Sequence, residues 1–367
     1  MLKPLGAMAR RRPDPRRSAT LRHILKRVSR SFYLSLIVLP KPVREQISLA
    51  YLFCRAADTI ADTHILPPSE RQQALDVFRD QFQSPGLRIE SLKWLKQQLL
   101  PHQATAGEGA LLQSLPACFD LYTTFSTTDQ ELIRTLVLTL TKGMDMDLAH
   151  FPSQVPQTAH ALPVYDDLDR YTYYVAGVVG EFWTRMHAAH LPTLQHCDIE
   201  GLCRHGIRFG QGLQMTNILK DIAHDFRLGR CYLPESELAA LHVEVQDLQH
   251  PKTLVRMRPL LDDLVRMTLD HLDQARDYIV ALPIGMIRLR LSCMWPLLFA
   301  VQTLAALYQA PDLLSPEIRV KISRGDVYRT MARSLWYLVS RRAFVAYYAT
   351  LRQRVVQCLP AGCFHES

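Results

Sequence analysis

The sequence predicts an all-α protein, and three observations lead to this fold class. Glycine is scarce, with 15 residues in a chain of 367, and the Asn-Gly and Asp-Gly pairs that favour tight β-hairpins are absent. Apolar residues recur at helical spacing over most of the chain. No linker separates one helical region from the next. We therefore expect one helical domain over residues 21–359, between a basic arm at residues 1–20 and a tail at residues 360–367.

Prolines and glycines mark the ends of the predicted helices. Helical periodicity covers residues 21–143 with interruptions, whereas residues 150–164 carry three prolines and are predicted to form a loop. A second helical block covers residues 166–228, and a turn with a short extended stretch follows at residues 229–234. The last predicted helices cover residues 252–282, 287–308 and 327–359.

Positive charge is concentrated at the start of the chain. The formal net charge is +8, and ten lysines and arginines lie within the first thirty residues. Such an arm, interrupted by Pro13 and Pro15, fits a disordered tail, a segment attracted to anionic lipid or an Arg-rich transit peptide. Nucleic-acid binding is not expected, because neither aromatic interleaving nor a known binding module accompanies the charge.

Hydropathy and cysteine usage indicate a cytoplasmic protein, with peripheral contact to a membrane surface left open. No run of eighteen uninterrupted apolar residues is present, so no spanning helix is expected, and residues 291–308 are predicted to form a buried core helix. The eight cysteines include no CxxC pair, which favours a reducing compartment. The aromatic-rich residues 336–351 fit core packing, which we favour, or an amphipathic helix at a membrane interface.

Two aspartate pairs carry the strongest chemical signal. Asp58 and Asp62 lie in DTIAD, and Asp221 and Asp225 lie in DIAHD. At a spacing of four residues both carboxylates of a pair project from one face of a helix, where their repulsion destabilises the helix. A bound cation would cancel this repulsion. Mg²⁺ suits such a site because it binds one or two carboxylates together with substrate phosphates.

Each aspartate pair extends a longer polar stripe on an otherwise apolar helix. The first stripe is Tyr51, Arg55, Asp58 and Asp62, and its alternative interpretation is a local ion pair between Arg55 and one of the aspartates. The second stripe is Gln214, Asn217, Asp221 and Asp225. Lys220, Arg227 and Arg230 supply positive charge beside it, which a diphosphate requires. The alternative is that these aspartates only pair with lysine or arginine.

Small residues lie close to both stripes. Gly206, Gly210 and Gly212 interrupt the second helix, as if something bulky passed close to its backbone. The segment YTYYVAGVVG at residues 171–180 places tyrosines one turn before small residues. These leave volume for a long apolar substrate, with aromatic faces to stabilise a carbocation, or they allow tight helix packing. The sequence does not decide between these two interpretations.

In these segments the chain resembles the squalene/phytoene synthase family, over most of residues 25–325. SRSFY at residues 29–33, RAADTIAD at 55–62, YTYYVAGVVG at 171–180 and QMTNILKDIAHDFRLGRCYLP at 214–234 occur in the order of the family's motifs. The resemblance implies a single isoprenoid-synthase (terpenoid synthase) helical domain. Its central cavity would lie between the two Asp-rich helices.

The resemblance also implies roles for individual residues. Mg²⁺, with Mn²⁺ as an alternative, would be held by Asp58, Asp62, Asp221 and Asp225. The residues that would bind the substrate diphosphates are Arg30, Arg55, Lys220, Arg230, Gln214 and Asn217. Tyr171 would handle a proton or stabilise a cation.

Within the family, the segments at residues 291–296, 303–308 and 320–328 resemble the squalene synthase branch. This implies condensation of two farnesyl diphosphates to presqualene diphosphate, followed by reduction with NADPH. The alternatives are a phytoene or dehydrosqualene synthase, without the reduction or with a longer substrate, and a non-catalytic relative that acts as a binding or assembly factor. The C-terminal membrane anchor of eukaryotic members is not evident, which favours a soluble or peripheral form. Substrate length, the NADPH site, the oligomeric state and the role of the arm stay open.

Overall fold

The computed structural model describes most of the chain from residue 24 onwards. The described residues are 24–25, 28, 35–36, 38–63, 65–83, 89–103, 105–152, 155–310, 312–315 and 317–360. The predicted basic arm, Arg30 with the rest of the SRSFY motif, and all but the first residue of the predicted tail lie outside them. The predicted limits of the helical domain stay a prediction.

Helices account for almost all of the regular structure in the described residues, which confirms the all-α class. The first five helices are α1 (Lys41–Ala61), α2 (Pro68–Gln83), α3 (Ile89–Leu99), α4 (Ala106–Tyr122) and α5 (Thr127–His150). Phe53 packs α1 against α2 and α4, because the centroid of its ring lies 4.9 Å from that of Phe82 and 4.7 Å from that of Phe119. Because this apolar face of α1 is buried, the polar stripe with Asp58 and Asp62 lies on another side of the helix.

The middle of the chain places one long helix at the centre of the fold. The elements here are α6 (Tyr165–Thr172), a π-helical turn (Tyr173–Gly177), α7 (Val178–His190) and α8 (Ile199–Arg227). Helix α8 packs against α7. Short 3₁₀ turns connect helices in the described chain at Leu100–His102, Pro156–Thr158, Pro192–Leu194 and Val245–Gln249.

Two short strands pair in parallel beside the end of α8. They are β1 (His160–Leu162) and β2 (Arg230–Pro234), with His160 opposite Arg230. The loop prediction for residues 150–164 was therefore wrong at β1, because three residues are too few to show a period and the partner strand is distant in sequence. Gly229, with φ of 74°, turns the chain from α8 into β2 in a conformation that favours glycine.

The remaining helices cover the other side of α8. They are α9 (Glu235–Ala240), α10 (Thr253–Arg256), α11 (Arg258–Ala281), α12 (Ile287–Gln309), α13 (Arg324–Val339) and α14 (Arg341–Val356). Among the residues described, α12 alone is long and apolar enough to cross a membrane, and 61% of its apolar window is buried, as expected of a core helix.

The helical region predicted at residues 327–359 consists of two helices, α13 and α14. The chain becomes extended at Ser340, with φ −133° and ψ 106°, and α14 starts anew. The Ser340 hydroxyl accepts a hydrogen bond from the Ala343 N–H at 3.2 Å. Serine in this position caps a helix, because its side chain satisfies a backbone donor of the first turn.

Glycines bring α7 and α8 into backbone contact. A Cβ atom on Gly180 would overlap the carbonyl of Gly206, and one on Gly210 would overlap the carbonyl of Ala176. The bulky neighbour expected near the α8 glycines is therefore helix α7 and the turn before it at Gly206 and Gly210, whereas Gly212 faces His271 and Leu272 of α11. The packing interpretation of the small residues holds at these positions.

We expect Gly180→Ala to lower the free energy of unfolding by about 1–3 kcal/mol, because the added methyl group must displace the backbone of α8. Gly109→Ala is the matched control, since a Cβ atom on Gly109 of α4 would meet nothing within 4 Å. Alanine there should stabilise the protein by about 0.5–1 kcal/mol. Urea unfolding of the two variants measures both effects, and equal effects would contradict the backbone contact.

Candidate active site

Asp58 and Asp62 keep the predicted one-turn relationship at the end of α1. The helix ends at Ala61, and the Asp62 N–H donates to the Asp58 carbonyl at 2.8 Å, which continues the helical hydrogen-bond pattern. Solvent reaches 46% of the Asp58 side chain and 53% of the Asp62 side chain. This pair therefore lies at the accessible edge of the site.

Arg230 connects the end of α1 with two other elements. Its Nη2 lies 3.2 Å from Asp62 Oδ1, and its Nη1 lies 3.7 Å from Asp147 Oδ2. Arg230 opens β2, which follows α8, whereas Asp147 belongs to α5. One guanidinium thus links carboxylates that are far apart in sequence, and it brings the first acidic motif next to the segment that carries the second.

Asp147 is a site residue that sequence reasoning missed. Its Oδ2 accepts hydrogen bonds from the hydroxyls of Tyr171 at 3.4 Å and Tyr232 at 3.1 Å. The rings of these tyrosines stack with centroids 4.7 Å apart. Its buried Oδ1 has no hydrogen-bond partner among the described residues. Asp147 therefore holds the predicted catalytic tyrosine in place and keeps a free acceptor atom.

A signal for Asp147 is present in the sequence. Leu140, Met144 and Asp147 are spaced i, i+4 and i+7, and the first two are buried in the core. An aspartate on the apolar face of a helix needs a partner, because burying an unpaired charge is costly. The neighbouring Asp145 projects elsewhere and accepts a hydrogen bond from Gln72 Nε2 at 2.8 Å.

Burial and mutual repulsion favour protonated carboxylates in this site. Burial, assisted by the charge of Asp62, raises the pKa of Asp147 to about 7. Burial and the charge of Asp221 raise the pKa of Asp225 to about 7. Burial and the charge of Asp62 also raise the pKa of Asp58, although solvent screens part of the effect at this exposed side chain. When these carboxylates are ionised, the site therefore carries more negative charge than its own cations compensate.

These raised pKa values predict how stability depends on pH without a divalent cation. Between about pH 4 and pH 7 these carboxylates hold more protons in the folded protein than in the unfolded chain, so their contribution to stability should fall as pH rises through this window. The buried His187 and His271, whose pKa values burial lowers to about 4, act in the opposite direction below about pH 6.5, so the effect of Mg²⁺ isolates the contribution of the carboxylates. Mg²⁺ competes with these protons, and it should raise the melting temperature more at about pH 8 than at about pH 5.5. Thermal unfolding at both pH values, with Mg²⁺ and with EDTA, measures this, and an equal Mg²⁺ effect would contradict it.

The local ion pairs considered from the sequence are also formed. Arg55 Nη2 lies 3.0 Å from Glu108 Oε1, and Arg55 Nη1 lies 3.9 Å from Asp58 Oδ2. Lys220 forms an ion pair with Asp221. Both cations lie beside the acidic motifs, at positions where they can contact an anionic ligand.

Two cavities lie along the two polar stripes. A polar cavity of about 360 Å³ is lined by residues of α1 and α4 that include Tyr51, Arg55, Asp58 and Glu108. An apolar cavity of about 270 Å³ is lined mainly by apolar residues of α7, α8, α11 and α12, together with Gln214 and Asn217 of the second stripe. The site thus offers charged surroundings for a polar group and apolar surroundings for a hydrocarbon.

The donor set suits a cation that also takes ligands from the substrate. In the described part of the chain, no group of three His, Cys, Asp or Glu side chains is placed to hold a metal ion by itself. Mg²⁺ does not need such a group, because water and substrate phosphates complete its coordination. The raised pKa values of Asp147 and Asp225 indicate that added positive charge would stabilise the ionised site. The residues present therefore fit Mg²⁺.

Comparison with known proteins places the chain in a family. The sequence pattern of the squalene/phytoene synthase family matches residues 25–326. The chain belongs to this family. It is 26% identical over 313 residues to a squalene synthase of Schizosaccharomyces pombe, covering 85% of this chain and 64% of that protein. It is 30% identical over 252 residues to a presqualene diphosphate synthase of Zymomonas mobilis, covering 69% of this chain and 72% of that protein.

A solved structure confirms the predicted isoprenoid-synthase fold. The complex of TcSQS with the ligand BPH1237 matches with a TM-score of 0.76 and 20% identity, covering 95% of this chain and 94% of that one. The squalene synthases that the chain matches are longer proteins. The chain spans 62–64% of the length of three of them.

Proposed function

We propose that the protein condenses two farnesyl diphosphates head to head to presqualene diphosphate in a Mg²⁺-dependent reaction, and then reduces this product to squalene with NADPH. The observation that carries the proposal is the meeting of the two acidic motifs around Arg230. Asp62 contacts Arg230 directly, and Asp225 lies close enough for its pKa to respond to the Arg230 charge. A site of this kind beside an apolar cavity suits a diphosphate with a hydrocarbon chain.

The four motif aspartates would hold the metal ions. When bound, Mg²⁺ supplies positive charge that stabilises the departing diphosphate. Arg55, Lys220 and Arg230 would bind the diphosphate oxygens, exchanging their present carboxylate partners for the substrate. Gln214 and Asn217 lie where the charged region meets the apolar cavity, so they would orient the bond between diphosphate and chain. Arg30 lies outside the described residues, and its role stays a prediction.

Tyr171 and Asp147 would serve proton transfer. Burial and the charge of Asp147 raise the pKa of the Tyr171 hydroxyl well above its usual value, so Tyr171 keeps its proton at neutral pH. Asp147, whose pKa is raised to about 7, has the properties of a base that works near neutrality. Its free Oδ1 would accept the proton lost when the cyclopropane closes. The stacked tyrosine rings would stabilise the preceding cation.

The apolar cavity would protect that cation from water. Trp183, Phe209 and Leu213 line it. Water would otherwise capture the cation and give an alcohol. Apolar residues that exclude water from the hydrocarbon part of the substrate therefore favour condensation.

Condensation without reduction is the second candidate. Its support is the 30% identity to a presqualene diphosphate synthase, which exceeds the 26% identity to the Schizosaccharomyces pombe squalene synthase. A dehydrosqualene synthase, or a phytoene synthase acting on geranylgeranyl diphosphate, belongs to the same candidate class.

Product analysis distinguishes these candidates. Purified protein is incubated with farnesyl diphosphate and Mg²⁺, with and without NADPH, and the extracted lipids are examined by mass spectrometry. Squalene formed only with NADPH supports the reductive reaction. Presqualene diphosphate or dehydrosqualene in the presence of NADPH assigns the protein to the non-reducing class. A parallel incubation uses geranylgeranyl diphosphate, and conversion of this substrate but not of farnesyl diphosphate would identify a phytoene synthase.

A further inference from the structure

The outer face of α13 is apolar although it lies at the surface. Tyr328 is 70% exposed, Leu335 64%, Trp336 68% and Val339 65%. Residues 328, 332, 335 and 339 are spaced i, i+4, i+7 and i+11, and residue 336 lies beside them, so they share one face of the helix. Four large exposed apolar side chains on one face differ from the single scattered ones of an ordinary surface. We call Tyr328, Ala332, Leu335, Trp336 and Val339 the α13 stripe.

The opposite face of α13 fixes its orientation. Thr330, Ser334 and Leu338 are buried against the protein. Trp295 Nε1 on α12 donates to Ser334 Oγ at 3.0 Å, and Gln302 Nε2 donates to Thr330 Oγ1 at 3.0 Å. These hydrogen bonds hold the polar positions of α13 inwards. The stripe therefore faces outwards as part of a firmly packed helix.

The surroundings of the stripe are basic. From residue 324 to residue 356 the chain carries seven arginines and one acidic residue, Asp326. Asp326 is already engaged, since Arg329 Nη1 donates to it at 3.1 Å. The exposed arginines of this region are Arg324, Arg329, Arg333, Arg341, Arg342 and Arg354.

We propose that α13 docks on the surface of an anionic lipid bilayer, with the α13 stripe among the upper acyl chains and the flanking arginines at the phosphates. Helices that lie in a membrane interface combine a Trp- and Leu-bearing face with basic flanks. Arginine side chains can reach the headgroups while their stems cover apolar surface. A second copy of this chain fits less well, because a two-fold interface would bring the same arginines against each other.

The position of α13 relates this surface to the apolar cavity. Cys293 and Pro296 of α12 line that cavity, and Trp295 of the same helix bonds to α13. The docking surface is thus one helix away from the cavity. On the basis of the proposed function, an apolar product would be released close to lipid.

Depth-dependent quenching tests the proposal on the full chain. The protein is mixed with vesicles of phosphatidylcholine and phosphatidylglycerol that contain lipid brominated in the acyl chains. Trp336 is the exposed tryptophan, whereas Trp94 and Trp183 are half-buried and Trp295 is buried. We expect brominated lipid to quench the wild type, and Trp336→Phe to lose most of this quenching while it still binds. Equal quenching of the two proteins would overturn the proposal.

Vesicle flotation separates the stripe from other basic segments. We expect Leu335→Gln/Trp336→Gln to bind at least tenfold more weakly, since two large apolar groups no longer enter the bilayer. Arg329→Gln/Arg333→Gln should bind anionic vesicles about fivefold more weakly per arginine. Val255→Gln is the control, because Val255 is 80% exposed on α10, and its binding should not change. Circular dichroism verifies that each variant is folded.

Two results would overturn the proposal. Wild-type binding by the Leu335/Trp336 double variant would assign lipid binding to another segment. A wild-type dimer in lipid-free sedimentation that the double variant converts to a monomer would identify the stripe as an interface between copies.

Discussion

Asp58→Asn should lower the turnover of farnesyl diphosphate by about 10²–10³-fold while the protein stays folded. The substitution removes one of the four carboxylates that we assign to Mg²⁺, and it keeps the size and polarity of the side chain. The loss of one group that stabilises developing charge lowers kcat by about 10²–10³-fold. Because burial and the charge of Asp62 raise the pKa of Asp58, removing the charge should leave the metal-free protein as stable as the wild type or more stable.

Steady-state kinetics and thermal unfolding of Asp58→Asn test both statements. Asp120→Asn is the control, since Asp120 is exposed on α4, away from the acidic motifs, and its kinetics should match the wild type. Asp225→Asn should behave as Asp58→Asn does. Wild-type rates in both site variants would remove the basis of the metal assignment.

Arg230→Gln should lower both stability and activity. The side chain is 15% exposed and contacts Asp62 and Asp147. Removing one partner of a buried ion pair costs about 3–5 kcal/mol, because the other charge is left uncompensated. This range applies to the buried Asp147, whereas solvent screens the 53% exposed Asp62, so the loss should fall at or below its lower end. The pKa values of the remaining carboxylates would rise further, so protonation would offset the loss of stability at low pH. The destabilisation should therefore be larger at about pH 8 than at about pH 5.

Arg230→Lys separates charge from geometry. Lysine keeps the positive charge but cannot contact two carboxylates with a planar fork, so we expect intermediate stability and weaker substrate binding. Arg256→Gln is the control, since Arg256 forms an exposed pair with Asp247 at 2.9 Å that contributes at most about 1 kcal/mol. Urea unfolding at the two pH values gives the comparison. A pH-independent effect of Arg230→Gln would contradict the carboxylate cluster.

Local periodicity explains what the sequence predicted correctly. The acidic stripes lie on helices because apolar residues surround them at helical spacing, and Asp62 continues the last turn of α1. The contact between Arg230 and Asp62 spans 168 residues, so no local pattern reveals it. For Asp147 a local pattern indicates burial on the apolar face of α5, but its partners Tyr171 and Tyr232 reach it only in the folded chain.

The C-terminal region shows a second limit. The aromatic residues 336–351 were expected to pack in the core, and Phe344 and Tyr348 do so. Trp336 does not, because the chain breaks at Ser340 and α13 packs against α12 through Thr330 and Ser334. An apolar pattern identifies the faces of a helix, but the small hydroxyl residues that select the packed face here gave no comparable signal.

Release of diphosphate from farnesyl diphosphate tests the central claim most directly, because it reports the first chemical step whatever the final product is. The purified full chain is incubated with farnesyl diphosphate, with Mg²⁺ or with EDTA, and diphosphate is measured over time. We predict release that requires Mg²⁺ and is about 10²–10³-fold slower in Asp58→Asn. A folded protein that releases no diphosphate from farnesyl or geranylgeranyl diphosphate in the presence of Mg²⁺ would contradict the proposed enzyme.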